Sequence, residues 1–189
     1  MTRGGAEEHR RMSSCFTTEY PSPVGLLTLA SDGQSITGLW IQGQKYFREK
    51  LPDPIPCVSL PVFQQAAAWL TRYFLGEAPE MTLPLAPEGS PFRRSVWDIL
   101  LKIPYGQVTT YGAIARELSA AAGKSVCAQA VGGAVGHNPI SILIPCHRVV
   151  GANGSLTGYA GGIDKKIQLL TLEGAAMERL FAPSCGTAL

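Results

Sequence analysis

A chain of 189 residues with 46% hydrophobic and 16% charged side chains is long enough for one ordinary domain or two small ones, and too apolar to be globally disordered. No stretch approaches the roughly 18 consecutive apolar residues that span a bilayer, and the polar start Met1–Cys15 is unlike a secretory signal, so a soluble cytoplasmic protein is expected. The net charge of +2 excludes neither nucleic acid nor small molecules as partners.

Residues 1–14 read as a flexible tail, followed by an amino-terminal α/β domain over 15–84. Gly25–Ile41 contains two apolar runs around Ser31-Asp32-Gly33-Gln34, a hairpin signal because glycine supplies the positive φ of a tight turn. Val62–Leu75 places Phe63, Ala66, Ala67, Leu70, Tyr73 and Phe74 on one helical face, with Gly76 just past its end. The proline-rich stretch Glu77–Pro91 then marks a domain boundary, with the linker at 85–90.

A second domain is expected over 91–178, with a flexible tail at 179–189. Ser90-Pro91 opens a helix as cap and first-turn proline, with Phe92, Val96, Ile99, Leu100 and Ile103 as the buried stripe. Pro104-Tyr105-Gly106 is a turn, Thr109 or Thr110 caps a helix carrying Tyr111, Ile114, Ala115 and Leu118, and a third helix runs from about Ser125 to Gly136. Two short helices joined by a tight connection after a longer one resemble a helix-turn-helix. The charge distribution agrees: residues 1–90 hold 7 Lys/Arg against 9 Asp/Glu, whereas 91–174 hold 8 against 4, the balance expected of a half that faces a polyanion. The third helix is poor in side chains that read base edges, only Gln129 fitting that role. Its small residues, Ala128, Gly132 and Gly133 among them, suit the minor groove, where the backbone dominates binding.

The apolar run Ile140–Pro145 reads as a short buried strand that delivers Cys146 to the mouth of a loop, followed by a helix Ile163–Leu172 that ends at Glu173. The five cysteines, Cys15, Cys57, Cys127, Cys146 and Cys185, are odd in number and scattered, which excludes a disulfide framework. His9, Cys15 and Cys57 lack ligand spacing, so no metal and no cofactor are expected. Sulfur is a strong nucleophile only as thiolate, and a free thiol is roughly 3% ionised at pH 7; a base beside Cys146 therefore matters. His147 adjoins it, needs a bridging water if the backbone is extended, and is oriented by Glu173 in a three-member relay.

The string Ile144-Pro145-Cys146-His147-Arg148-Val149, with Val150-Gly151-Ala152-Asn153-Gly154 and Gly158-Tyr159-Ala160-Gly161-Gly162 behind it, resembles the active-site segment of the O6-alkylguanine-DNA alkyltransferases, and the likeness covers about 91–174. It implies a ribonuclease-H-like amino-terminal α/β domain and a mainly helical, winged-helix-like carboxy-terminal domain. The implied reaction is single-turnover transfer of an alkyl group from guanine O6 to Cys146, with thymine O4 left open as a second source. It also implies His147 and Glu173 as activators, Tyr111 as proton donor, Asn138 as a hinge, and Gln129, Ala128, Gly132, Gly133, Arg148, Tyr159 and Ala160 as contacts to double-stranded DNA from which the base is flipped. Gln129 stands where many relatives carry an arginine. The protein is expected to act as a monomer, with cooperativity on DNA left open. The alternatives are a non-catalytic damage sensor or a DNA-binding regulator whose cysteine is structural or redox-active.

Overall fold

A computed structural model describes residues 15–47, 54–57 and 59–183; the expected tail at 1–14 and residues 184–189 lie outside them. The chain starts in a four-stranded sheet, β1 (Phe16–Ser22), β2 (Gly25–Ser31), β3 (Ile36–Ile41) and β4 (Ile55–Pro56), in the order β3-β2-β1-β4, antiparallel except for β1 with β4. The expected hairpin is β2–β3. Asp32 Oδ1 accepts the backbone N–H groups of Gln34 and Ser35 across its turn, and Gly33 takes φ 103°, which a side chain would resist. Strand β1 carried too little hydrophobic alternation to be seen in advance.

Helix α1 (Pro61–Phe74) starts at Pro61 without a side-chain cap, so its stability comes from the face it buries. Val62, Phe63, Ala66, Leu70 and Tyr73 pack with Leu27, Leu29, Ile36, Leu39 and Ile41 of the sheet in one continuous core. Each Val, Leu, Ile or Phe side chain among them, fully removed from water, contributes about 1.5–3 kcal/mol. The proline-rich connection folds back rather than hanging free: Ile36 N–H donates to Pro84 O and Ala86 N–H to Ile36 O, covering part of the edge strand β3.

Helix α2 (Pro91–Leu100) begins where the sequence indicated, with Ser90 Oγ accepting Arg93 N–H. Its buried face is Val96, Trp97 and Leu100; Phe92, assigned to the stripe, is exposed. Trp97 was the better anchor, because its indole N–H reaches Ala134 O at 2.9 Å and ties α2 to α4. A two-residue strand β5 (Thr109–Thr110) leads into α3 (Tyr111–Ala122), capped by Thr110 Oγ1 on Ala113 N–H. Helix α4 (Ala128–Gly136) packs against both α2 and α3, completing the helix-turn-helix.

The segment Ile140–Pro145 is not a strand. Only Ile140 bridges, to Leu39 of β3, and the chain then turns through Ser141–Ile144 with Ile142 at φ 69°. Leu39 N–H donates to Pro139 O and Ser141 N–H to Leu39 O, so the run is buried because it closes the edge of the amino-terminal sheet. Its hydrophobicity was read correctly and its backbone was not. A single 3-10 turn, Cys146–Arg148, follows, then β6 (Val149–Val150), which pairs in parallel with β5, then α5 (Ile163–Leu172). The expected tail from 179 is in part held: Leu156 N–H donates to Phe181 O and Phe181 N–H to Gly154 O. The two-layer α/β unit followed by a helical unit is the fold class expected. No helix among the described residues is long and apolar enough to cross a membrane.

Candidate active site

Asn138 sets the entry to the site. Its Oδ1 accepts Ile140 N–H at 3.0 Å while Nδ2 donates to Ile144 O at 2.8 Å and to Ile140 O at 3.4 Å, so one buried amide replaces the ladder partners that a strand would have had. This staple holds the left-handed Ile142, a costly conformation for a β-branched residue, and delivers Cys146 to the first position of the 3-10 turn. The amide also reaches the thiol itself.

Cys146 is 3% exposed. Burial pushes its thiol above the ordinary value of 9.0, opposed by the Asn138 contact and the positive charge of Lys166. Lys166 is wholly buried on α5, donating to Val149 O at 2.6 Å and Thr157 O at 3.0 Å, and burial lowers it to about 8. The neighbouring His147 is also wholly buried. Its Nε2–H donates to Glu173 Oε1 at 2.7 Å, which leaves the lone pair on Nδ1, and Nδ1 has no partner among the described residues. Desolvation lowers the imidazole below 6.5 despite the carboxylate, so it is neutral near pH 7.

Glu173 caps the end of α5 and collects five donors. Oε1 accepts from His147, from the Tyr73 hydroxyl at 2.7 Å and from Arg148 Nη2 at 2.9 Å; Oε2 accepts from Arg148 Nε at 2.8 Å and Gly106 N–H at 3.2 Å. These donors hold its carboxyl far below the usual carboxylate range against the opposing effect of burial. Gly106 has φ 74°, and a Cβ there would lie 2.6 Å from Glu173 O, so the turn admits only glycine. Arg148 completes the cluster through Nη1 on Ile103 O and its guanidinium over the Tyr105 ring, 5.7 Å from the centroid.

The structure thus gathers Cys146, His147, Glu173 and Asn138. Tyr111 is close behind, brought by the β5–β6 pairing of Thr109 with Val149 and Thr110 with Val150. Its hydroxyl donates to Thr157 O at 3.1 Å, and burial together with the charge of Cys146 raises its phenol well above 10. Tyr159 is buried, its hydroxyl without a partner among the described residues, and Ala160 O accepts Lys45 N–H. Gln129 and Ala128 stand exposed on the first turn of α4, apart from the acceptor cluster; Gly133 is half-buried and Gly132 buried. Arg148 corrects the expectation of a DNA contact: at 8% exposure, with three hydrogen bonds to Glu173 and Ile103, it is an internal counter-ion.

Two members of the cluster escaped the sequence reading as site residues. Lys166 left a signal, since it falls with Ile163, Ile167 and Leu170 on the apolar stripe of α5, where an unpaired cation is costly. Tyr73 was legible only as a buried aromatic. Among the described residues no group of three His, Cys, Asp or Glu side chains is placed to hold a metal ion, and Cys57, Cys127 and Cys146 are in no disulfide. A cavity of about 320 Å³ lies beside the cluster, lined by Trp69, Met81, Tyr105, Ile142, Pro145 and Arg148 among others; Cys146 does not line it.

A buried thiol on a stapled turn, backed by an imidazole–carboxylate pair and joined to a helix-turn-helix, defines a cysteine-nucleophile protein of the DNA-binding kind. Residues 16–87 match the family described as 6-O-methylguanine DNA methyltransferase, ribonuclease-like domain, and residues 91–175 its DNA binding domain. The methylated-DNA--protein-cysteine methyltransferase of Haemophilus influenzae is 44% identical over 86% of this chain and 88% of its own length, and that of Methanosarcina acetivorans 43% identical over 82% and 96%. The crystal structure of Mycobacterium tuberculosis OGT in complex with DNA is 42% identical, with TM-score 0.68 over 90% of this chain and 96% of that one. The chain belongs to the 6-O-methylguanine DNA methyltransferase family.

Proposed function

We propose that this chain repairs alkylated double-stranded DNA by direct reversal, with Cys146 as the acceptor. The carrying observation is the 2.7 Å contact of His147 Nε2 with Glu173 Oε1: a carboxylate can only accept, so Nε2 bears the proton and the lone pair is on Nδ1, buried one residue from the thiol and without a partner among the described residues. Because burial favours the neutral thiol, less thiolate exists at pH 7 than the roughly 3% of a free cysteine. A general base is therefore required, and such groups contribute about 10²–10⁴ in rate.

In the proposed reaction the thiol proton passes through a bridging water to His147 Nδ1, and sulfur attacks the alkyl carbon on guanine O6. The C–S bond forms as the C–O bond breaks, the electron pair leaves with the purine, and Tyr111 gives it a proton so that it departs neutral. The imidazolium returns its proton to the tyrosinate. Glu173 stabilises the transient imidazolium, and Lys166 the thiolate. The thioether product offers no carbonyl to water, so each polypeptide acts once.

With Cys146 buried, the base must be flipped into the protein and the loop carrying Gly158, Tyr159 and Ala160 must admit it. The Tyr159 hydroxyl, which has no partner among the described residues, is available to meet the purine. Gln129 enters the vacated stack from the exposed turn of α4, hydrogen-bonding the orphaned base without the charge of an arginine. The small, exposed residues Ala128 and Gln129, with the half-buried Gly133, favour minor-groove approach by a monomer. Free thiols suit the reducing cytoplasm.

Incubation with excess O6-methylguanine duplex is expected to add one methyl group to the Cys146 peptide, none in Cys146→Ala, with no turnover thereafter. Tight binding of the duplex with no adduct would instead establish the sensor reading.

A further inference from the structure

Glu173 is reached from an unexpected direction. Tyr73 belongs to α1 of the amino-terminal domain, 100 residues away in sequence, yet its hydroxyl donates to the same carboxylate oxygen that accepts the His147 Nε2–H, and lies 3.5 Å from Nε2 itself. We propose that Tyr73 is a positioning residue for alkyl transfer: its hydroxyl fixes Glu173 Oε1 so that His147 keeps its proton on Nε2 and its lone pair on Nδ1, and the amino-terminal domain thereby completes the acceptor site. The proposal rests on the relay reading of Cys146, His147 and Glu173.

Three observations carry it. The phenol is placed by packing and not by the bond it makes: Tyr73 is wholly buried, its ring stacked on Trp69 at 5.3 Å and met edge-on by Phe74 at 5.2 Å and Tyr105 at 5.9 Å. The hydroxyl therefore cannot follow Glu173 elsewhere; the carboxylate is held to the hydroxyl. Secondly, the chemistry fixes who donates. Burial and the adjacent carboxylate push the Tyr73 phenol far above 10, so it remains a donor at any working pH, and while Nε2 bears a proton the Glu173 carboxylate oxygen is the acceptor it meets among the described residues. Thirdly, Oε1 shares its negative charge among three donors. Removing one leaves more charge for the imidazole, which favours the imidazolium. A relay without Tyr73 would hold a protonated, useless base up to a higher pH.

The other groups facing this pair are Arg148 and Lys166, which oppose protonation of His147, and Tyr105, Tyr159 and Cys146, which are neutral near pH 7. None of them reaches Oε1 from the amino-terminal domain.

Tyr73→Phe keeps the ring and removes the hydroxyl; Leu70→Ala, one turn back on α1 and fully buried, serves as a packing control. The measurements on the full chain are the methyl-transfer rate from an O6-methylguanine duplex between pH 5.5 and 8.5, the protonation of His147 by nitrogen-15 histidine spectroscopy, and thermal unfolding. The Phe variant is expected to fold, to react severalfold more slowly at the acid end of that range with the deficit closing towards pH 8.5, and to protonate His147 about one pH unit higher than wild type, the scale set by one hydrogen bond to a charged acceptor. Leu70→Ala should lower the unfolding temperature without moving the pH dependence. A Tyr73→Phe variant with wild-type pH profile and imidazole titration, or with a pH-independent loss like that of Leu70→Ala, overturns the proposal. Absence of transfer by the wild-type protein at every pH overturns the relay reading itself, an outcome distinct from either.

Discussion

Replacing Glu173 by glutamine tests the centre of the site, because an amide has the shape of the carboxylate and half its acceptors. Each carboxylate oxygen receives donors only: Arg148 Nε and Gly106 N–H on one, His147, Tyr73 and Arg148 Nη2 on the other. Whichever way the amide turns, its NH₂ faces at least two of them. If it faces Oε2's donors, the Arg148 Nε and Gly106 N–H groups are left unsatisfied. If it faces Oε1's, His147 can accept only by moving its proton to Nδ1, where the base is needed. Breaking a buried ion pair costs about 3–5 kcal/mol, and with about 2–4 °C per kcal/mol for a chain of this size the unfolding temperature should fall by roughly 6–20 °C. The share that Glu173 contributes is present above its unfolded value near 4.5 and is lost as pH falls below it, because the folded group binds its proton less readily; the variant should lack that acid-side loss. Differential scanning calorimetry and urea unfolding measure both. The double variant Arg148→Met/Glu173→Gln, which removes both charges, should recover part of the loss. A single variant destabilised by less than about 1 kcal/mol, or a double variant worse than the sum of its parts, would refute the account of Glu173 as the acceptor on which Arg148 depends.

Other consequences are open to direct measurement. Cys127 is exposed and Cys146 is 3% exposed, so a bulky disulfide reagent should modify Cys127 at least tenfold faster in the free protein, with Cys146 labelling rising as pH passes 9; equal rates at neutral pH would contradict the burial that governs the thiol. Asn138→Ala leaves the Ile140 N–H without its partner and takes one of two donors from the Ile144 carbonyl, which keeps the Cys146 N–H, an expected loss of about 1–3 kcal/mol, seen by urea unfolding; a loss below 1 kcal/mol would show that the turn before Cys146 holds itself. Tyr111→Phe removes one hydroxyl bonded to Thr157 O, so stability should change by about 1 kcal/mol or less while methyl transfer slows by about 10²-fold or more; an unchanged rate would remove Tyr111 from the chemistry. Finally, His147 is held neutral by burial, with a folded value below the unfolded 6.5. The unfolded chain therefore binds a proton that the folded one does not, and stability should decline as pH falls from 7 towards 5; Cys146→Ala should keep that slope and His147→Gln should lose it.

Much of the architecture was legible because local chemistry and global fold agree. Asp32-Gly33 marked the β2–β3 turn, Ser90-Pro91 the start of α2, Thr110 the start of α3, and Glu173 the end of α5. Cys146 and His147 stood out because a proline, a cysteine, a histidine and an arginine in that order carry a specific resemblance. The strand proposed for Ile140–Pro145 failed because hydrophobicity reports burial and not backbone angles: a side chain 2–6 residues upstream, Asn138, took the hydrogen bonds that a sheet would have taken. Arg148 was misassigned for a related reason. The resemblance implied a DNA contact for it, and only the position of Glu173, 25 residues on, shows where that charge is spent.

The sequence by itself determined the class of chemistry, since nucleophile, base and acid are properties of side chains, and it determined the order of the elements, since caps and turns act over a few residues. Tertiary structure alone decided how those groups meet. The proton on His147 Nε2, the depression of Glu173 and the burial of Cys146 all depend on Tyr73, Gly106 and Lys166 arriving from distant parts of the chain, because electrostatics in a water-poor interior answers to distance through space and not to separation along the backbone.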